Sequence, residues 1–142
     1  MAQEELQLVY DITGGDFTNA GRASTSIKDV LKRLGVSPST VRRVAIASYE
    51  AEMNLVMYAF RGRMCLKVNP ETVTIEIEDE GPGIPDIPLA MQEGYSTATA
   101  EMHEMGFGAG MGLPNIQKNA DVFEIRSELG RGTRLHIRVN QA

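Results

Sequence analysis

Two glycine-rich clusters constrain this chain more than any other feature: Asp79-Glu80-Gly81-Pro82-Gly83 and Gly106-Phe107-Gly108-Ala109-Gly110-Met111-Gly112. Glycine at alternate positions leaves the backbone bare, which suits sharp turns and close approach of another group. Between the clusters the sequence has weak periodicity and many Gly, Pro, Ser and Thr residues. A segment that long and irregular inside a compact domain is a lid or is disordered. Upstream, Glu50 and Asn54 stand four apart in a helical pattern; downstream, Gly130-Arg131-Gly132-Thr133 opens the last strand-like run.

The periodic segments give the rest of the architecture. Leu6 to Ile12 reads as a strand, followed by a turn at Gly14-Gly15. Asp16 or Thr18 can cap a helix running to about Leu34 and stopped by Gly35. Ser37-Pro38 is a second helix start, with Ser as N-cap and Pro at the first helical position. That helix should reach about Phe60, with Gly62 ending it. Val41, Val44, Ser48, Ala51, Leu55 and Ala59 form its core stripe. Ile46, Glu50, Met53, Asn54 and Met57 form a second stripe, so Glu50 and Asn54 are set among apolar neighbours. Met64 to Val68 and Val73 to Glu78 read as paired strands around an Asn69-Pro70-Glu71 turn. Leu113-Pro114 begins a short helix to about Ala120, and strands Val122 to Ser127 and Thr133 to Val139 follow. Helices covering one face of a mixed, mostly antiparallel sheet would make a two-layer α/β sandwich.

At 142 residues the chain suits one domain, 1–142, with a real core. Formal net charge is −5, and no cluster of Lys and Arg could track a phosphate backbone, which argues against nucleic acid as ligand. No apolar run approaches the roughly 18 residues of a membrane span. The acidic N-terminus lacks the order of a signal peptide, so a cytoplasmic protein is expected. Cys65, the single cysteine, is expected as a buried thiol in an apolar strand. His103 and His136 make no ligand pair.

Each cluster suits a definite chemistry. A carboxylate at Asp79 can accept a hydrogen bond from an exocyclic amine such as that of adenine; guanine presents an oxygen there, and two acceptors repel. Gly81 and Gly83 would let a flat ring lie close to the backbone. Gly108, Gly110 and Gly112 precede a helix, whose first amides and dipole favour an anion. Glu50 and Asn54 project together. The Asn54 amide oxygen suits Mg²⁺, a hard cation, and Glu50 can take a proton from an attacking hydroxyl. Glu52, the competing carboxylate, points to the opposite side and ranks below Glu50. The Thr133 hydroxyl can reach a base directly or through water. No Gly-Lys-Ser/Thr, His-Arg-Asp or Asp-Phe-Gly motif occurs, which excludes a Walker P-loop and a eukaryotic-type protein kinase.

Taken in order, these elements resemble the GHKL, or Bergerat-fold, ATPase superfamily over roughly residues 5 to 140. Glu50-x-x-x-Asn54 is similar to its N box, Asp79-x-Gly81-x-Gly83 to its first glycine box, Gly108-x-Gly110-x-Gly112 to its second, and Thr133 to its terminal threonine. Size and layout resemble the small bacterial anti-sigma factors and switch-protein serine kinases. The resemblance implies Glu50 as catalytic base and Asn54 as Mg²⁺ ligand. It implies Asp79, Gly81, Gly83 and Thr133 around adenine, and Gly108, Ala109, Gly110, Met111 and Gly112 around the phosphates. A lid would span about 84–107, with Tyr95 to Gly106 within it. ATP and Mg²⁺ would be the cofactors. The partner would be a STAS-domain antagonist phosphorylated on serine, with a sigma factor and a homodimer as further associations. One departure stands out: between Lys67 and Lys118 there is no Lys or Arg, so the lid lacks a basic residue near the γ-phosphate. Lys118, Arg131 or a partner's cation would then have to help. An ATP-gated module that sequesters a regulator without much catalysis is the alternative, with Met102, Met105 and Met111 as an adaptable surface.

Overall fold

A computed structural model describes residues 5–92 and 112–141. In chain order it contains β1 (Leu6–Thr13), a 3-10 turn (Phe17–Asn19), α1 (Arg22–Arg33), α2 (Pro38–Tyr58), β2 (Arg61–Val68), β3 (Thr72–Glu80), the single turn α3 (Ile87–Ala90), α4 (Gly112–Asn119), β4 (Val122–Glu128) and β5 (Gly132–Asn140). The strands form one sheet in the order β1-β2-β3-β5-β4, and every pairing is antiparallel. The expected α/β sandwich is therefore present, with no parallel pair among the described residues.

Alternation along the strands separates two sheet faces. Met64, Leu66, Val73, Ile75, Ile77, Leu135, Ile137 and Val139 are buried under the helices with Ile27, Leu31, Val44 and Leu55. The other face carries charged pairs across adjacent strands, including Asp11–Arg63 and Glu78–Arg134. Cys65 lies on that outer face, half-buried between Val9 and Glu76, because Met64 and Leu66 take the core side. The expectation of a buried thiol is thus corrected. His136 is its neighbour but one in the same row, with Nδ1 3.6 Å from Glu76.

Helix α2 occupies the middle of the helical layer, flanked by α1 and α4 and lying on the sheet. Ser37 caps it as expected, accepting from the Thr40 N–H, with Pro38 in the first turn. All six residues of the expected core stripe, from Val41 to Ala59, are buried. The helix ends earlier than expected. Ala59 is already extended, and the chain turns directly into β2. Gly62 is therefore a strand residue, where a side chain would run into Leu55. The first helix also differs: Asp16 caps only the 3-10 turn, and α1 starts at Arg22 after Gly21, whose φ of 98° suits glycine. Gly35 closes α1 as anticipated, with φ 76°.

Gly21 offers no side chain to cap α1. Glu52 supplies it from across the interface. Its carboxylate is 1% exposed and accepts from Gly21 N–H (2.9 Å), Ala23 N–H (3.3 Å) and Ser24 N–H (2.8 Å). The first amides of a helix are unpaired within it, and an anion there gains from the dipole. Glu52 thus fastens α1 to α2 and fixes how α2 is rotated. Replacing Glu52 by Ala strands these buried donors and should lower stability by about 3 kcal/mol. Urea unfolding measures this; a midpoint like that of the parent would contradict the role.

Candidate functional site

The helical layer and one end of the sheet together build the site. Glu50 and Asn54 emerge half-buried from α2 on the side facing α4. A Cβ placed on Gly112, the first residue of α4, would sit 3.3 Å from Glu50 Oε2 and 3.4 Å from Asn54 Oδ1. Glycine there leaves the carboxylate and amide oxygens open toward the helix start. These oxygens form a donor set that fits a hard divalent cation. The Asn115 side chain, one turn into α4, hydrogen-bonds Glu50. Burial pushes the Glu50 carboxyl above its ordinary value, and the Asn115 bond offsets part of that rise.

Asp79 lies near the end of β3 on the helix-facing side, opposite Gly62. Its Oδ1 accepts the Thr133 N–H at 2.9 Å. No described residue donates to its other oxygen. Burial raises the Asp79 carboxyl as well, against the lowering effect of the Thr133 bond. The Thr133 hydroxyl is 2.9 Å from Ser127 Oγ, and Ser127 Oγ also accepts the Ile84 N–H at 2.7 Å.

Close backbone contacts hold this end together. Gly81 is buried; its N–H donates to the Arg131 carbonyl at 2.9 Å, and an added Cβ would lie 3.2 Å from Ala59 Cα. Gly83 has φ 78°, and a Cβ would meet the Glu128 carbonyl oxygen at 2.6 Å. A Cβ on Gly132 would collide with the Asp79 carbonyl. The glycines after Asp79 thus serve chain packing at the mouth of the site, a role that close approach to a ring did not anticipate.

The structure brings Glu50, Asn54 and Gly112 together at one place, and Asp79, Gly81, Gly83 and Thr133 at the sheet end. Gly108, Ala109, Gly110 and Met111 lie outside the described residues, as does most of the expected lid, including Tyr95 to Gly106 and Met102 and Met105. Of the lid's first part, Asp86 caps the short α3. Sequence reasoning missed Asn115 and Ser127. The Gly112-x-x-Asn115 spacing, which stacks the two on one helix face, was the available signal for Asn115; Ser127 had none. Arg131 is highly exposed and pairs with Glu128 at 3.3 Å, while Lys118 sits in the last turn of α4, about 9 Å along the axis from Gly112.

Raised carboxyls make a pH prediction. Between the ordinary and folded values the native state holds more protons than the unfolded chain, so stability falls as pH rises through that window. The penalty is complete above the folded value and absent well below the ordinary value of 4.5 for Glu50. Glu50→Gln should therefore be more stable than the parent at neutral pH, with the advantage closing in acid. Urea unfolding at both pH values checks this; no advantage at neutral pH would contradict it. Gly132→Ala should destabilise by about 2 kcal/mol through backbone displacement, and thermal melting that leaves it unchanged would remove the packing argument.

The family model described as "Histidine kinase-like ATPase domain" matches residues 16–139. The serine/threonine-protein kinase RsbT of Bacillus subtilis is 32% identical over 112 residues, covering 76% of this chain and 78% of that protein. An anti-sigma F factor from a Thermoanaerobacter species is 30% identical over 120 residues, covering 81% and 80%. That of Clostridium acetobutylicum is 25% identical over 122 residues, covering 82% of each. With its α/β sandwich and ordered Glu50–Asn54, Asp79–Gly83 and Gly112 elements, the chain belongs to the histidine kinase-like ATPase domain family, within the GHKL group.

Proposed function

We propose that this protein is an ATP- and Mg²⁺-dependent serine kinase of the switch-protein type, which phosphorylates a STAS-domain partner and so regulates transcription by partner switching. The observation that carries the reading is the placement of Glu50 and Asn54 beside the side-chain-free start of α4. The kinase among its relatives supports the reaction class. The proposed setting is the cytoplasm; among the described residues no helix is long and apolar enough to cross a membrane.

In this reading adenine meets the open oxygen of Asp79, with Thr133 and Ser127 beside it. The phosphates reach the start of α4, where Gly112 and the preceding residues 108–111 supply amides. Asn54 would hold Mg²⁺, whose charge would offset that of the phosphoryl oxygens. Among the described residues no group of three or more His, Cys, Asp or Glu side chains is placed to hold a metal alone, so phosphate and water would complete the shell. The partner's serine oxygen attacks the γ-phosphorus, the bond from that phosphorus to the bridging oxygen breaks, and ADP leaves. Glu50 takes the serine proton. Burial makes its carboxylate a better base than an exposed one.

A second reading, an ATP-gated module that sequesters a sigma factor, is favoured by the anti-sigma factors among the relatives and by the absence of Lys and Arg between residues 67 and 118. Transfer of a phosphoryl group depends on neutralising its charge. Phosphoserine on the partner separates the two readings.

Three substitutions test the assignments. Glu50→Gln should keep ATP affinity within about twofold and lower phosphoryl transfer by a factor of about 100 or more, read with radiolabelled ATP; parental turnover would end the base assignment. Asn54→Ala should abolish the Mg²⁺-dependent part of ATP binding in calorimetry with and without metal. Asp79→Asn should erase the preference for ATP over GTP, and a retained preference would show that the base is read elsewhere.

A further inference from the structure

A groove of about 670 Å³ runs between α1 and α2, on the surface facing away from the sheet. Lys28 and Lys32 border it from α1; Arg42, Ile46, Tyr49 and Glu50 border it from α2. Of the sheet's cations, Arg61, Arg63, Lys67 and Arg134 have carboxylate partners, while Arg126 and Arg138 form no ion pair among the described residues. Lys28, Lys32 and Arg42 form no ion pair among the described residues, in a chain of net charge −5. The first turn of α2 contains no acidic residue to balance Arg42 or the positive end of the helix dipole. Between the cations the surface is apolar, and Tyr49 is 45% exposed there. An exposed aromatic ring on an apolar strip with a cationic rim suits a polypeptide carrying carboxylates.

Glu50 connects the groove to the site. It lines the groove on one side, and on the other its Oε2 lies 3.3 Å from the Cβ position of Gly112. A segment lying in the groove therefore passes beside the residue that borders the start of α4. We propose that the α1–α2 groove docks an acidic segment of the partner protein next to Glu50. This rests on the kinase reading above and adds to it the docking face and the charge of the docked segment. Lys28 and Lys32 are four apart on one helix face and grip the same stretch of carboxylates.

The test uses the full chain and two fluorescein-labelled 13-residue peptides, each with one central Ser. One carries Glu on both sides of the Ser, and the other carries Lys at the same positions. Anisotropy reads binding, and radiolabelled ATP reads transfer. The parent should bind and phosphorylate the Glu peptide in preference to the Lys peptide, more weakly as salt rises. The double variant Lys28→Glu/Lys32→Glu alters two exposed side chains. It should raise KM for the Glu peptide at least tenfold, hold kcat and leave ATP affinity unchanged by calorimetry. Lys28→Gln/Lys32→Gln should fall between, and serves if charge reversal disturbs folding. Equal binding of the two peptides, no binding of either, or parental behaviour in the variants overturns the groove. So does a parallel loss of ATP affinity, since the cations would then serve the nucleotide. If the Glu peptide binds through Lys28 and Lys32 but never gains phosphate, the groove stands and the kinase reading fails.

Discussion

The rotation of α2 about its own axis sets almost everything else in this protein. At about 100° per residue, the core stripe, Glu52 and the Glu50–Asn54 pair leave the helix in three different directions. The stripe packs on the sheet, Glu52 enters the start of α1, and Glu50 with Asn54 faces the start of α4. Hydrophobic packing alone tolerates small rotations, because it has little directionality. A buried carboxylate bonded to three backbone N–H groups does not. Turning α2 would strand both the carboxylate and the donors in an apolar layer. The Glu52 clamp is thus a structural carboxylate that fixes the direction of Glu50 two residues away.

At the other end of the site, strand register does the equivalent work. Asp79 faces the helices because Ile77 and Ile75 do, and a slip of one residue would send it to the outer face. Gly62 opposite it leaves space for Leu55, and Gly132 lets β5 approach the Asp79 backbone. Both site carboxyls are held above their ordinary values by burial. That is a cost in folding free energy, carried by a core of well-packed apolar residues. In the roles proposed for them, base for Glu50 and amine acceptor for Asp79, both would gain from such desolvation.

Much of this was legible in the sequence because its signals were local. Ser37-Pro38 marks a helix start through capping and fixed φ, and the Val41-to-Ala59 stripe marks its buried face. The Glu50–Asn54 spacing places both on one side regardless of fold. What escaped depends on contacts between distant residues. Nothing near Gly62 shows that the helix stops at Tyr58, since Gly62 answers to Leu55 and to the strand opposite. Glu52 looked like a weaker rival to Glu50; its role exists only once Gly21 to Ser24 lie against it. Asn115 and Ser127 acquire meaning only through Glu50 and Thr133. Cys65 sits in an apolar run, but alternation, rather than composition, decided its face.

The central claim is spatial: one nucleotide bridges the β3–β5 end of the sheet and the α2–α4 junction. An amide chemical-shift map of the isotopically labelled protein titrated with ATP and Mg²⁺ tests it most directly. The account predicts that the largest shifts fall on Asp79, Gly81 and Thr133 together with Asn54 and Gly112, while Val9, Glu76 and Glu124 on the outer sheet face stay put. Shifts confined to one of the two ends, or centred on the outer face, would contradict it.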